Sequence, residues 1–317
     1  MSATSREDLE KTVSIITEMY QGRVRCTFNE KAHTYHFRVA GVVDKCWQPS
    51  ITGILAMEAK PSLIGWSAKQ SLKVVKRRLG EFQSKHGELE AVPSGYLEEW
   101  LSDAEENWRD EDASTTIGSV AHRFAFEELR FRCGLTSVKP KFPIEADAVL
   151  LPDFTPAMLA ATNASASQAV RFFEEHHFKP IILERPLWCP AEAYCGTPDV
   201  VGLIDGELAV ADYKSSKKIY ASYWCQLAAL QNAYQAEFPD QQIKKRVAVN
   251  IPKDGSDLQV EIRDFDERYE EDLSMFRACK TIYNWQRKND SYKIGEPVQI
   301  IGALPAQREV DAEDCPW

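Results

Sequence analysis

Between positions 197 and 213, two apolar runs, Thr197-Pro198-Asp199-Val200-Val201-Gly202-Leu203 and Glu207-Leu208-Ala209-Val210-Ala211-Asp212-Tyr213, stand on either side of Asp205-Gly206. An Asp-Gly pair accepts positive φ at both turn positions, and that turn twists as two antiparallel strands twist. A hairpin is expected. Segments 180–184, 246–251 and 258–264 read as further strands, and 156–177, 223–237 and 266–286 as helices, the first opened by Pro156. Strands framed by helices on both sides of the sequence imply a mixed α/β sheet covered by helices.

Ser114 or Thr115 can cap another helix, which runs to about Cys133 and stops at Gly134. Nearer the N-terminus, an amphipathic helix is expected over 6–20, followed by a hairpin of 24–28 and 34–39. Ser50 is placed to cap a short helix over 51–57, and Pro61 to open a longer one through Trp66 to about Leu79. Residues 80–95 read as a loop or lid, 96–109 as an acidic helix, and 136–156, with four prolines, as a surface excursion. The expected parts are an N-terminal hairpin and helical region (1–112), an α/β core (113–300) and an acidic tail (301–317).

At 317 residues, 44% hydrophobic and 27% charged, the chain can bury a substantial core. No apolar run approaches the roughly 20 residues that span a bilayer, and no secretory or transit pattern opens the sequence, which points to a cytoplasmic protein without a membrane partner. Eight dispersed cysteines with no CxxC pair read as reduced thiols and count against an iron–sulfur cluster or zinc ribbon.

The net charge of −10, taken alone, argues against a nucleic-acid partner. Its distribution leaves room for one. Residues 98–112 hold eight acids against Arg109, and Glu309, Asp311, Glu313 and Asp314 crowd the tail. Elsewhere lie basic clusters that can track a phosphate backbone: Lys73, Lys76 and Arg77 on one side of a helix, Lys214 with Lys217 and Lys218, and Lys244-Lys245-Arg246. Solvated helix faces would look the same. The tail ends in Pro316-Trp317, which reads as an ordinary frayed terminus, as an acidic tip whose apolar anchor recruits a replication or recombination protein, or as a competitor with DNA for the protein's own basic groove.

The chemistry concentrates in the hairpin. Each strand delivers an aspartate, Asp199 and Asp212, and Asp212 and Lys214 are two apart and so share a face. Paired carboxylates in a cleft repel each other by several kcal/mol unless a divalent cation neutralises them, and oxygen ligands suit Mg²⁺ or Mn²⁺. Lys214 can orient a water and hold a phosphate oxygen. Upstream, Gly118 and His122 lie one helical turn apart, and His122 can serve as a third ligand or a phosphate contact. Each element alone has an ordinary structural explanation, an edge-strand ion pair or a core histidine.

Together, His122 on its helix, Glu184 ending a strand, Pro198-Asp199, Asp212-Tyr213-Lys214 and the helical Gln226 resemble the PD-(D/E)XK nuclease superfamily, in particular its RecB-like branch with phage-type and mitochondrial-type exonucleases. His33-Thr34-Tyr35, Pro49-Ser50-Ile51-Thr52 and Trp66-Ser67-Ala68-Lys69 are similar to the N-terminal part of phage-type members. Leu230 stands where the family pattern has a tyrosine four residues after its glutamine; Tyr223 and Tyr234 are the candidate substitutes.

The resemblance implies a restriction-endonuclease-like mixed β-sheet core flanked by helices, with an N-terminal hairpin and helical elaboration. It implies a metal held by Asp199, Asp212, the Tyr213 backbone carbonyl and His122, with Lys214 catalytic, Glu184 and Gln226 behind them, and DNA contacts from Lys73, Lys76, Arg77, Lys217 and Gln226. The implied activity is Mg²⁺- or Mn²⁺-dependent hydrolysis of DNA, single-stranded or with free ends, by an exonuclease of replication, recombination or repair. The setting would be phage or bacterial cytoplasm, or the mitochondrial matrix. A structure-selective endonuclease and a catalytically silent binding module on the same fold are the alternatives.

Overall fold

The computed structural model of the chain describes residues 14–29, 34–41, 43–58, 61–86, 113–145, 155–214, 216, 218–251 and 258–300. In chain order these form β1 (Ser14–Met19), β2 (Val24–Asn29), β3 (Thr34–Val39), β4 (Val43–Gln48), α1 (Ile51–Leu55), α2 (Pro61–His86), α3 (Ala113–Arg132) and α4 (Pro156–Glu175). There follow β5 (Lys179–Leu183), β6 (Leu187–Cys189), β7 (Tyr194–Gly196), β8 (Val200–Ile204), β9 (Glu207–Lys214), α5 (Ala221–Glu237), β10 (Lys245–Asn250), β11 (Gln259–Asp264) and α6 (Tyr269–Asn289). The fold is mixed α/β.

Asp205 and Gly206 both have positive φ and join β8 to β9, as an Asp-Gly hairpin requires. The strand order of the central sheet is β11-β10-β9-β8-β5. Only β9 and β10 run parallel, and α5 is their crossover. Because side chains alternate along each strand, Val200, Ala211 and Val247 face Phe126, Leu129 and Phe172 of α3 and α4. Val201, Val210 and Ala248 face α1, α5 and α6, where Leu227, Leu230 and Phe276 meet them. Burying each large apolar side chain contributes roughly 1.5–3 kcal/mol, so this hairpin is anchored from both faces. Gly202 is required by packing: a Cβ there would stand 2.3 Å from the Lys179 carbonyl oxygen, where β5 bulges against β8.

The N-terminal sheet is an antiparallel meander, β1-β2-β3-β4. Its inner face (Met19, Val24, Cys26, Tyr35, Phe37, Val39) closes on Trp188 and Cys195 of the β6–β7 hairpin, with Val298 and Ile300 alongside. Phe37 stacks on Trp188 at 4.5 Å. Tyr20 ties this sheet to the rest: its hydroxyl donates to the Trp188 carbonyl at 2.7 Å and its N–H to Glu237 Oε1 at 3.0 Å, while Arg185 pairs with the same carboxylate.

Several local expectations hold. The hydroxyl of Ser50 accepts the Gly53 N–H at 3.0 Å, Pro156 stands in the first turn of α4, and Gly134 has the positive φ of a helix stop after α3. The helix expected over 6–20 is corrected: residues 14–19 are β1, paired along its whole length with β2, and 6–13 lie outside the described residues. Ile15, Ile16 and Thr17 are β-branched and lose rotamer freedom in a helix, whereas β2 offers a full ladder of partners. The break expected at Gly80 is also corrected, since α2 runs on to His86, anchored by the fully buried Phe82 and an Arg77–Glu81 pair at 3.5 Å. Strands β4, β6 and β7 were not expected. The acidic stretch 98–112 and the tail 301–317 lie outside the described residues.

All seven cysteines among the described residues are free thiols. No helix among the described residues is long and apolar enough to cross a membrane.

Candidate metal centre

The register of β8 and β9 pairs Val200 with Ala211, so one step outward Asp199 and Asp212 come opposite each other at the open end of the hairpin. The strand delivers Asp212 to the α5 side and turns Tyr213 into the aromatic cluster of Phe126, Phe172 and Phe173 on the other. Asp199 is fixed from two directions: Tyr213 N–H donates to its Oδ2 at 2.6 Å, and His122 Nε2 on α3 lies 3.2 Å from its Oδ1. Asp212 is 2% exposed. Gln226, in the second turn of α5, donates to Asp212 Oδ1 at 2.9 Å and accepts from Lys214 Nζ at 3.1 Å. The Lys214 ammonium also lies 2.5 Å from Asp212 Oδ2. With Gln226 on the other oxygen, this close ion pair gives both Asp212 oxygens a donor group.

The two aspartates are driven apart in acidity. Burial pushes Asp212 up from 3.8 to about 6, the Asp199 charge adds to the rise, and Lys214 opposes it. Burial would raise Asp199 as well, but His122, Lys214 and the Tyr213 N–H outweigh it and hold that carboxyl below the ordinary range. Burial disfavours charge on His122 and Lys214 too; the facing aspartates win, and both cations are raised above their usual values. Two carboxylates of unequal acidity, each with its own cation, therefore share one cleft.

Whether a divalent ion suits this set is decided by the donors. Among the described residues no three His, Cys, Asp or Glu side chains form a ready cage. The two opposed carboxylates are hard oxygen ligands side by side in one cleft, which fits Mg²⁺ or Mn²⁺. A cleft of about 40 Å³ bounded by Gly118, His122, Tyr213, Lys214 and Ile251 opens beside them.

The expected residues distribute unevenly. His122, Asp199, Asp212, Tyr213, Lys214 and Gln226 converge. Glu184 adjoins them through its backbone, whose N–H donates to the Asp199 carbonyl at 3.1 Å, while its side chain pairs with Arg130 at 3.0 Å. Lys73, Lys76 and Arg77 are exposed on α2, and Lys217 lies outside the described residues. Of the candidate aromatic substitutes, Tyr223 holds its ring 5.3 Å from Lys214 Nζ, whereas Tyr234 is buried and donates to Gln241. Arg130 escaped the sequence reading; its only signal is a place two turns beyond His122 on α3. Asn250 escaped it too, although its Oδ1 accepts the Ser216 N–H at 3.0 Å and steadies the chain just past Lys214.

No protein-family model matches this chain, and no curated protein matches it. Among solved structures it is similar to LHK-Exo in complex with dAMP, with 16% identity over 53% of this chain and 84% of that one and a TM-score of 0.22.

Proposed function

We propose that the chain is a metal-dependent deoxyribonuclease of the PD-(D/E)XK type that removes nucleotides from DNA ends during replication, recombination or repair. The observation that carries this reading is the pair of opposed aspartates, Asp212 buried and Asp199 partly so, beside a lysine held in place by Gln226. Asp199, Asp212 and the Tyr213 carbonyl would hold Mg²⁺ or Mn²⁺, with His122 completing or flanking the set. Such an ion, when bound, neutralises a phosphate and acidifies a water.

The remaining roles follow from positions. Lys214 carries a fixed positive charge at the cleft, where it can align a water and meet a phosphate oxygen. Gln226 keeps Lys214 and Asp212 in register from a helix, a more rigid support than a loop. His122 steadies Asp199, and Arg130 draws the Glu184 carboxylate aside. Tyr223 offers a ring beside Lys214, in place of the tyrosine that Leu230 replaces. Exposed Lys73, Lys76 and Arg77 would contact the DNA backbone from α2.

The test uses end-labelled linear single strands, linear duplexes and closed circles, each with Mg²⁺, Mn²⁺ or EDTA. Metal-dependent loss of linear DNA with circles intact is the expected result. Cut circles would make the chain an endonuclease, and no cleavage of any substrate with either metal would remove the nuclease reading.

A further inference from the structure

The outer face of the N-terminal sheet takes no part in the metal centre. Alternation decides what it carries: with Met19, Val24, Cys26, Tyr35, Phe37 and Val39 turned inward, the intervening residues turn out. The register sets them in two cross-strand rows. One row is Ile16, Thr27, His36 and Trp47, and the next is Glu18, Arg25 and Arg38, with Lys45 two residues before Trp47 on the same side. Ile16 is 61% exposed, and Arg25, Arg38 and Lys45 are all exposed.

The end of α6 extends this face. Arg287 lies over the rings of Trp47 at 4.7 Å and Tyr292 at 5.2 Å, leaving Tyr292 63% exposed. Lys45 and Lys293 both lie close enough to His36 to add to the depression of its basicity that burial begins. Arg25, Arg38, Lys45, Arg287 and Lys293 thus gather here, and Glu18 is the one acid among the described strand positions of the face. In a chain of net charge −10 that local sign is reversed.

We propose that this face is a binding platform for single-stranded DNA, separate from the metal centre. Cations across a pleated surface complement a phosphate backbone, and an exposed ring at its edge, Tyr292, can stack on a base. Only an unpaired strand presents base faces to such a ring, which favours single strands over duplex. The proposal does not rest on the metal centre, since the platform would hold a strand whether or not the chain cuts it.

Binding of a fluorescein-labelled oligothymidylate to the full chain is measured by anisotropy in EDTA across a salt series. The Arg38→Glu, Lys45→Glu, Lys293→Glu triple variant should bind at least tenfold more weakly. Its log–log salt slope should flatten by about 2, because each phosphate contact on a single strand contributes roughly 0.7. Tyr292→Ala should lose affinity several-fold with the slope unchanged. A control of equal charge change on the distant α3–α4 side, Lys139→Glu, Lys141→Glu, Arg171→Glu, should bind as the parent does. The proposal is overturned if the parent fails to bind, if the face variant binds like the parent, if both triples weaken alike, or if duplex binds as tightly as single strand. Should the face triple unfold by circular dichroism, Lys45→Gln with Lys293→Gln gives the same readout, with a slope change of about 1.4. Strand binding without Mg²⁺-dependent cleavage would leave the platform standing and remove the nuclease; cleavage with undiminished binding by the variant would do the reverse.

Discussion

Asp212→Asn keeps the shape of the side chain and removes its charge, and in the metal-free protein it should stabilise the fold. The group titrates near 6 in the folded chain against 3.8 when unperturbed, chiefly because burial penalises its ionised form. Two units at 1.36 kcal/mol each amount to about 3 kcal/mol. A carboxyl whose folded value is raised contributes its full stability below the unfolded value, and that contribution disappears as pH rises through the folded one. In EDTA the parent should therefore lose about 3 kcal/mol from this group between pH 4 and pH 7.5, and the asparagine variant should lose none of it. The two should unfold alike at pH 4 and diverge at pH 7.5, with the variant the more stable. Chemical denaturation followed by tryptophan fluorescence at both pH values reads the difference directly. Saturating Mg²⁺ should then raise the parent's midpoint and leave the variant's almost unmoved. A variant less stable than the parent at pH 7.5, or a pH dependence identical in both, would refute the claim that burial outweighs Lys214 and makes the ionised Asp212 costly in the metal-free protein.

Lys214→Ala should retain metal-dependent stabilisation while losing roughly 10²–10³ in the single-turnover cleavage rate, the scale of one fixed electrostatic group. Asp272→Ala should cost about 3–5 kcal/mol, because Arg246, fully buried and 2.7 Å from that carboxylate, would keep its charge without a counter-ion. Replacing both, Arg246→Met with Asp272→Leu, should recover most of that loss in the same denaturation assay. Gly202→Ala would place a carbon 2.3 Å from the Lys179 carbonyl, so it should cost about 1–3 kcal/mol and speed hydrogen exchange at the β5 amides ahead of the rest of the sheet.

What could be read from the sequence was what short-range chemistry determines. The Asp205-Gly206 turn admits one strand pairing, and that pairing alone brings Asp199 to Asp212 and puts Lys214 on the same face as Asp212. Ser50 likewise announces its helix through a hydroxyl and the N–H three residues on. Partners distant in sequence were legible in part, as with His122 one turn after Gly118, only through resemblance, as with Gln226, or not at all, as with Arg130 opposite Glu184. Residues 14–19 were misjudged because one amphipathic stretch fits either period, and the choice was made by β2. Strands β6 and β7, three residues each, are too short to show any period; their apolar content reflects the sheet they close.

That closure has a bearing on how the protein is made. Strands β1 to β4 form a local meander that can pair as soon as it leaves the ribosome, yet the residues covering its inner face, Trp188, Cys195, Val298 and Ile300, are synthesised much later. Until then Met19, Val24, Tyr35 and Phe37 have no cover, and an apolar sheet surface in that condition is a substrate for chaperones and a site of misassembly. This sheet is thus translated well before it is sealed, and contacts of such wide sequence separation are slow to form in folding.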